Sequence, residues 1–283
     1  MSIDVYAMVT ERIINDLEKG FIPWKKPWTG VRSGAFNRIS KKPYSLINQM
    51  LLGKSGEWAT FKQWSDLGGK IRKGEKSRMV VFWKVYQKEV ETDDGEKKIV
   101  GWPILRYFNV FHIDQVDGVE PLPAEELQQI DPIEAAENVI ADYLTRENLQ
   151  MERCRSDEAY YSPSMDYIKV PLVEQFENAA ECYSTYFHEM THSTGHHTRL
   201  NRFEKERHIA AFGSEDYSKE ELIAEIGAAS LCNYLGIETQ SSFKNSTAYI
   251  QSWIRALKND KTLMVSASGK AEKAVNYILN INA

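Results

Sequence analysis

The chain has no apolar run approaching the length needed to cross a bilayer as a helix, which excludes an integral helical membrane protein. Its first twenty residues carry Asp4, Glu11, Asp16 and Glu18 and hold no apolar signal core, so secretion is not expected. Cysteine is scarce. Cys154, Cys182 and Cys232 are scattered and lack paired spacing, which argues against a disulfide framework or a cysteine-based zinc module and places the protein in a reduced cytoplasm. No internal repeat or low-complexity tract is present. What remains is the composition of a globular protein, 42% hydrophobic and 27% charged. At 283 residues the chain is long for one core, and two domains are expected.

The net charge of −5 conceals a division. Residues 1–120 hold 20 Lys/Arg against 15 Asp/Glu, whereas residues 121–283 hold 15 against 25. Within 25–88 the count is 15 basic to 3 acidic, and six of the seven tryptophans precede residue 120. Pro121, Pro123 and Pro132, with acidic residues between, mark a linker over 121–132, and a second domain over 133–283. A basic, tryptophan-rich domain suits nucleic acid, because cations neutralise phosphates and aromatic faces stack on unpaired bases. The candidate contacts are Trp24, Lys25, Lys26, Trp28, Arg32, Arg38, Lys41, Lys42, Tyr44, Lys70, Arg72, Lys73, Lys76 and Arg78. Trp58, Trp64 and Trp83 sit among apolar neighbours and are expected in the core.

The periodicity of this half predicts helices over 5–17, 44–52 and 61–67, then strands over 78–90 and 102–111 joined across Asp93-Asp94-Gly95. Helices followed by a hairpin imply an α+β fold.

The second half contains His188-Glu189-Met190-Thr191-His192, the pattern H-E-x-x-H. Apolar residues at helical spacing predict a helix over 173–194 ending near Gly195, on which the two histidines stand one turn apart and can share a metal ion. Glu189 lies beside the ion's open position as the expected general base. A second helix is expected from Tyr217 to about Tyr234. Its Glu221 and Glu225 share a face, so one can bind the metal while the other supports a ligand histidine, and Glu220 is expected to point elsewhere. Ser218 offers Glu221 a competing role in a capping box. His196, His197 and His208 are expected at the surface or in hydrogen bonds, with His196 or His197 able to assist substrate binding. Three His/Glu ligands imply zinc, and the same donors accept manganese or cobalt. Such a site hydrolyses amide bonds. Residues 160–171 read as two short strands about a Pro-Ser turn, one of which could pair with an extended peptide.

The ordered set Ile22-Pro23-Trp24, Asn37-Arg38, Pro43-Tyr44, Trp58, Thr60-Phe61, Lys73-Gly74-Glu75, Val81-Phe82-Trp83 and Phe108-Asn109-Val110-Phe111 resembles the N-terminal domain of ArdC-type antirestriction proteins of conjugative plasmids, a domain shared with TraC-type DNA primases. Phe187 to Leu200 and Glu220 to Ala228 are similar to the zincin-like metallopeptidase domain that accompanies it. The resemblance implies sequence-independent binding of single-stranded DNA and protection of transferred DNA from host restriction. It also implies a gluzincin-type site in which Glu221 is the third ligand and Glu225 its supporting partner. Gluzincin supporters are commonly Asp or Asn, and Glu225 is one methylene longer than Asp. Two other functions fit the same residues: a regulatory zinc peptidase whose basic domain docks a host protein or peptide substrate, and a DNA-coating protein with a structural zinc.

Overall fold

The structure, a computed structural model, describes residues 4–25, 34–91, 97–123, 131–203, 215–237 and 246–281. Helix α1 (Val5–Glu18) begins where the Asp4 carboxylate accepts a hydrogen bond from the Ala7 amide, and it buries Val9, Ile13 and Leu17 at helical spacing. A 3-10 turn at Pro23–Lys25 follows, then β1 (Ala35–Asn37), α2 (Leu46–Leu52), β2 (Gly56–Thr60), α3 (Phe61–Asp66), β3 (Lys70–Ile71), β4 (Arg78–Glu91), β5 (Lys97–His112) and β6 (Val116–Asp117). The strands form a four-stranded sheet in the order β1-β2-β5-β4, with β1 and β2 parallel and the rest antiparallel, while β3 and β6 pair separately. β4 lies at the sheet edge. The Asn48 side chain of α2 satisfies both backbone groups of Val81, donating to its carbonyl at 2.8 Å and accepting from its amide at 2.7 Å.

The second half contributes α4 (Pro132–Glu147), β7 (Gln150–Cys154), β8 (Tyr160–Ser162), β9 (Tyr167–Pro171), α5 (Ala179–Ser193), α6 (Glu215–Leu235), α7 (Ser246–Asn259) and α8 (Leu263–Ile278). β9 is central in a three-stranded sheet, parallel to β7 and antiparallel to β8. Ile168 and Val170 point together into the core, as the alternation predicts. The mixed α and β architecture matches the expected class.

Two large cores hold the molecule. One packs α4, β8 and β9 around Tyr183, Tyr186 and Phe187 of α5 and Leu231 of α6. The other joins the halves, with Val9 and Ile13 of α1, Met50 and Leu51 of α2, and Val81 and Leu105 of the sheet meeting Leu222, Trp253, Leu257 and Met264. α6 therefore belongs to both cores.

Two boundaries differ from expectation, and one expected turn is not described. Val173–Gln175 closes a separate 3-10 turn, so α5 starts only after Asn178, whose side chain accepts from the Glu181 amide at 2.9 Å. α6 starts at Glu215, which puts Glu221 inside the helix and removes the capping box with Ser218. The Asp93-Asp94-Gly95 turn lies outside the described residues. Among the described residues no helix is long and apolar enough to cross a membrane.

Candidate metal centre and nucleic-acid interface

α5 and α6 pack so closely that a side chain on Gly227 would collide with Thr191: a Cβ there would lie 2.6 Å from Thr191 Cγ2. This approach sets the carboxylates of α6 against the histidines of α5. His188 Nε2 and His192 Nε2 face each other at 3.1 Å, and Glu221 reaches both, at 3.4 Å and 3.3 Å. One donor atom from each of the three residues lies within 4.8 Å of the others. Glu189 stands between them in sequence and is buried.

The other ring nitrogens meet carboxylates as well. His188 Nδ1 lies 3.9 Å from Glu225, beyond hydrogen-bond range. His192 Nδ1 lies 3.5 Å from Glu220, so Glu220 does not point elsewhere but backs the second histidine. Arg202 holds Glu220 in place. Its buried guanidinium donates to Glu220 at 2.7 Å, to the Thr194 hydroxyl at 2.7 Å and to the Thr191 carbonyl at 2.8 Å, which also serves the C-terminal end of α5. Arg199 does the same for the neighbouring sheet. It donates to the Ser193 carbonyl at 2.7 Å and to Asp166 at 3.0 Å, and Asp166 also accepts from the Tyr161 hydroxyl at 2.7 Å. β8 and the β8–β9 turn are thereby pinned to the end of the histidine helix.

The electrostatics follow from burial and pairing. Burial alone would lower the histidine pKa values, but Glu221 raises His188, and Glu220 with Glu221 raise His192 to about 10. Conversely, burial would raise Glu221, and both histidines hold it well below the usual carboxylate range. Glu220 is likewise held low against burial by His192 and Arg202.

Neither arginine figured in the sequence expectations. The signal available was Arg199 and Arg202 placed just after a helix end, where free carbonyls attract cations. His196 accepts or donates through Nδ1 to the Thr198 hydroxyl at 2.8 Å and packs on His197, within the hydrogen-bonded range of expectation. His208 lies outside the described residues.

The expected nucleic-acid contacts divide. Trp24 is fully buried against Trp253, with ring centroids 5.2 Å apart, and Tyr44 is buried beside Phe82, so neither offers a ring for stacking. Arg38 is spent on buried Glu57, and Arg78 donates to the Leu52 carbonyl at the end of α2. Arg72 ties Glu75, Asp117 and the Asp114 carbonyl together. Arg38 meets a buried acceptor that its local sequence does not disclose, whereas Arg72 makes its contacts at the surface and stays exposed. Lys41, Lys42, Lys70, Lys73 and Lys76 are exposed. Lys26, Trp28 and Arg32 lie outside the described residues, as does the side chain of Lys25. Trp58 and Trp64 are core as expected, whereas Trp83 is 53% exposed, because β4 and β5 project beyond the body of the sheet.

Comparison with known proteins agrees with both halves. Residues 3–111 match the N-terminal domain of anti-restriction factor ArdC, and residues 135–270 match the zincin-like metallopeptidase family. Two crystal structures of the antirestriction protein ArdC from a plasmid superpose on the chain. The Mn(II)-bound form does so with a TM-score of 0.76 at 34% identity over 98% of each chain, and the metal-free form with 0.75 at 35% identity over 99% of this chain and all of that one. A DNA primase TraC of Escherichia coli is 34% identical over 97% of the chain, which spans only 27% of that primase. An uncharacterised protein of Sinorhizobium fredii is 30% identical over 97% of the chain and 91% of its own length. Full-length likeness to ArdC, in sequence and in fold, makes this chain a member of the ArdC antirestriction family, with an ArdC N-terminal domain followed by a zincin-like metallopeptidase domain.

Proposed function

We propose that the protein binds single-stranded DNA without sequence preference and protects incoming plasmid DNA from restriction in the cytoplasm of a recipient bacterium. The division into a DNA-binding domain over 1–120 and a metallopeptidase-like domain over 133–283 serves that role. In the second half, His188, His192 and Glu221 would hold a divalent ion, with Glu225 and Glu220 behind the two histidines. The observation that carries the metal assignment is the 3.1 Å approach of two imidazole nitrogens beside one carboxylate. In the metal-free protein one proton can lie between the two nitrogens, and a divalent ion held by both imidazoles and the carboxylate would replace it. Nitrogen and oxygen donors suit zinc and also manganese or cobalt, and the related plasmid ArdC has been crystallised with Mn(II).

A divalent ion here supplies Lewis acidity toward a carbonyl oxygen and lowers the pKa of a water. Glu189 is the residue of this chain suited to move protons: its carboxylate accepts one from water and returns it to a departing amine nitrogen. β8 pairs on one side with β9 and, as an edge strand, suits backbone pairing with an extended peptide.

The test of protection is plasmid transfer into restricting and non-restricting recipients, with and without the gene. The gene should raise transfer only into the restricting recipient. An equal effect in both, or none, would refute the protective role.

A further inference from the structure

Residues 78–87 and 101–112, the part of the β4–β5 ribbon whose side chains are described, contain Arg78, Lys84 and Arg106 and not one acidic residue, and the rest of the two strands adds Lys88, Lys97 and Lys98 against Glu89 and Glu91. The register sets Phe82 opposite Arg106, Lys84 opposite Ile104, Tyr86 opposite Trp102, and Val80 opposite Phe108. Directly opposed residues share a face, so Phe82, Lys84, Tyr86, Trp102, Arg106 and Phe108 lie on one side of the ribbon. Val80, at the base of this face, is buried in a small core, but beyond it Phe82 is 44%, Trp102 45% and Phe108 49% exposed.

Exposed rings of this number on a two-stranded ribbon need an occupant. Tyr86 shows how the face is organised. Lys84 Nζ lies 5.2 Å and the Arg106 guanidinium 5.4 Å from its ring centroid, and Arg106 also contacts its hydroxyl. Tyr86 thus holds two cations over the face, while Phe82 and Phe108, edge to face at 6.0 Å, and Trp102 leave ring surface open. Alternate residues on a strand stand about 7 Å apart, a repeat suited to one nucleotide of an extended strand.

We infer that this face of the β4–β5 ribbon is the surface on which single-stranded DNA stacks, its bases on Phe82, Trp102 and Phe108 and its phosphates on Lys84 and Arg106. The inference rests on the single-stranded-DNA reading above and moves its site away from Trp24 and Tyr44. A duplex fits less well, because groove readout by a ribbon uses polar side chains on base edges, and this face offers rings and aliphatic groups beside its two cations. A second copy also fits poorly: self-pairing about a two-fold axis would set the cations of one ribbon against those of the other.

The test compares intact wild-type protein with Trp102→Ala/Phe108→Ala and Lys84→Ala/Arg106→Ala by anisotropy of a labelled oligothymidylate. Equal thermal midpoints should confirm folding, since all four side chains are exposed. The ring variant is expected to lose about tenfold or more in affinity. The cation variant is expected to lower the slope of log affinity against log salt by about 1.4, roughly 0.7 for each lost phosphate contact. The oligonucleotide should quench tryptophan fluorescence in wild type, and Trp102→Phe should remove part of that quenching. Wild-type affinity in both variants, with loss instead in Lys70→Ala/Lys73→Ala/Lys76→Ala, would overturn the ribbon site and leave DNA binding intact. Failure of wild type to bind any oligonucleotide would refute the parent reading instead. Ribbon-dependent self-association or vesicle binding without oligonucleotide binding would reassign the face to a second copy or a lipid surface.

Discussion

Arg202→Met is the substitution that most sharply probes how the metal centre is built. It keeps the length and aliphatic stem of the side chain and removes only the guanidinium. That group is 7% exposed and faces a Glu220 carboxylate that is 13% exposed, so solvent screens neither. Its loss leaves Glu220 with His192 as its one remaining cationic neighbour among the described residues and takes one hydrogen bond each from the Thr191 carbonyl and the Thr194 hydroxyl, which stay bonded to each other at 2.7 Å. Leaving a buried charge wholly unpaired costs about 3–5 kcal/mol, and with His192 still beside Glu220 the lower end, about 3 kcal/mol, applies. For a chain of this size that lowers the thermal midpoint by about 10 °C. Melts followed by circular dichroism in the presence of chelator isolate this effect from metal linkage. Because Glu220 backs His192, metal affinity should fall as well, by about 10–100-fold. Adding Glu220→Gln should recover part of the lost stability, with a coupling above about 1 kcal/mol. A variant as stable as wild type, or strictly additive substitutions, would show that Arg202 and Glu220 do not act as a buried pair.

Gly227→Ala should cost about 1–3 kcal/mol, read by urea denaturation, because its methyl group meets Thr191 and forces α5 from α6; a neutral effect would mean the helices have room to part. Metal uptake should release protons at neutral pH, since His192 is raised to about 10 in the metal-free protein and must be neutral to ligate. Calorimetry in buffers of different ionisation enthalpy measures this. The metal-free cluster itself stabilises most between the ordinary Glu and His ranges. Its histidine contribution is fully present below about pH 6.5 and is lost as pH rises toward 10, and its lowered carboxylates lose theirs as pH falls through the acid range. Metal binding without proton release would contradict the paired arrangement. Glu189→Ala should abolish any peptide hydrolysis and leave the metal bound; loss of metal by elemental analysis would give Glu189 a ligand's role.

The parts of the fold written in local periodicity were legible from the chain alone. α1 and the histidine helix carry residues at the spacing their buried faces require, and the two strands β4 and β5 fall where their apolar runs place them. The helix start was misplaced at Val173, although Asn178 three residues before Glu181 is a readable cap. His188, His192 and Glu221 converge as the motif spacing suggests, because i and i+4 positions on two facing helices leave little choice. Glu220 was misjudged because its orientation depends on Arg202, which arrives from a separate segment. The tryptophans show the same limit. Trp24 lies beside lysines yet is covered by Trp253 from the far end of the chain, while Trp83 sits in an unbroken apolar run yet projects on a ribbon. A run such as Val81-Phe82-Trp83 contains both faces of a strand and cannot say which one is covered.

Anisotropy of a labelled single strand with the intact protein, at low and moderate salt and in competition with duplex, tests the central claim most directly. Sequence-tolerant binding that weakens with salt and yields to single-stranded but not duplex competitor is the predicted result. Absence of binding at low salt, or equal competition by duplex, would contradict it.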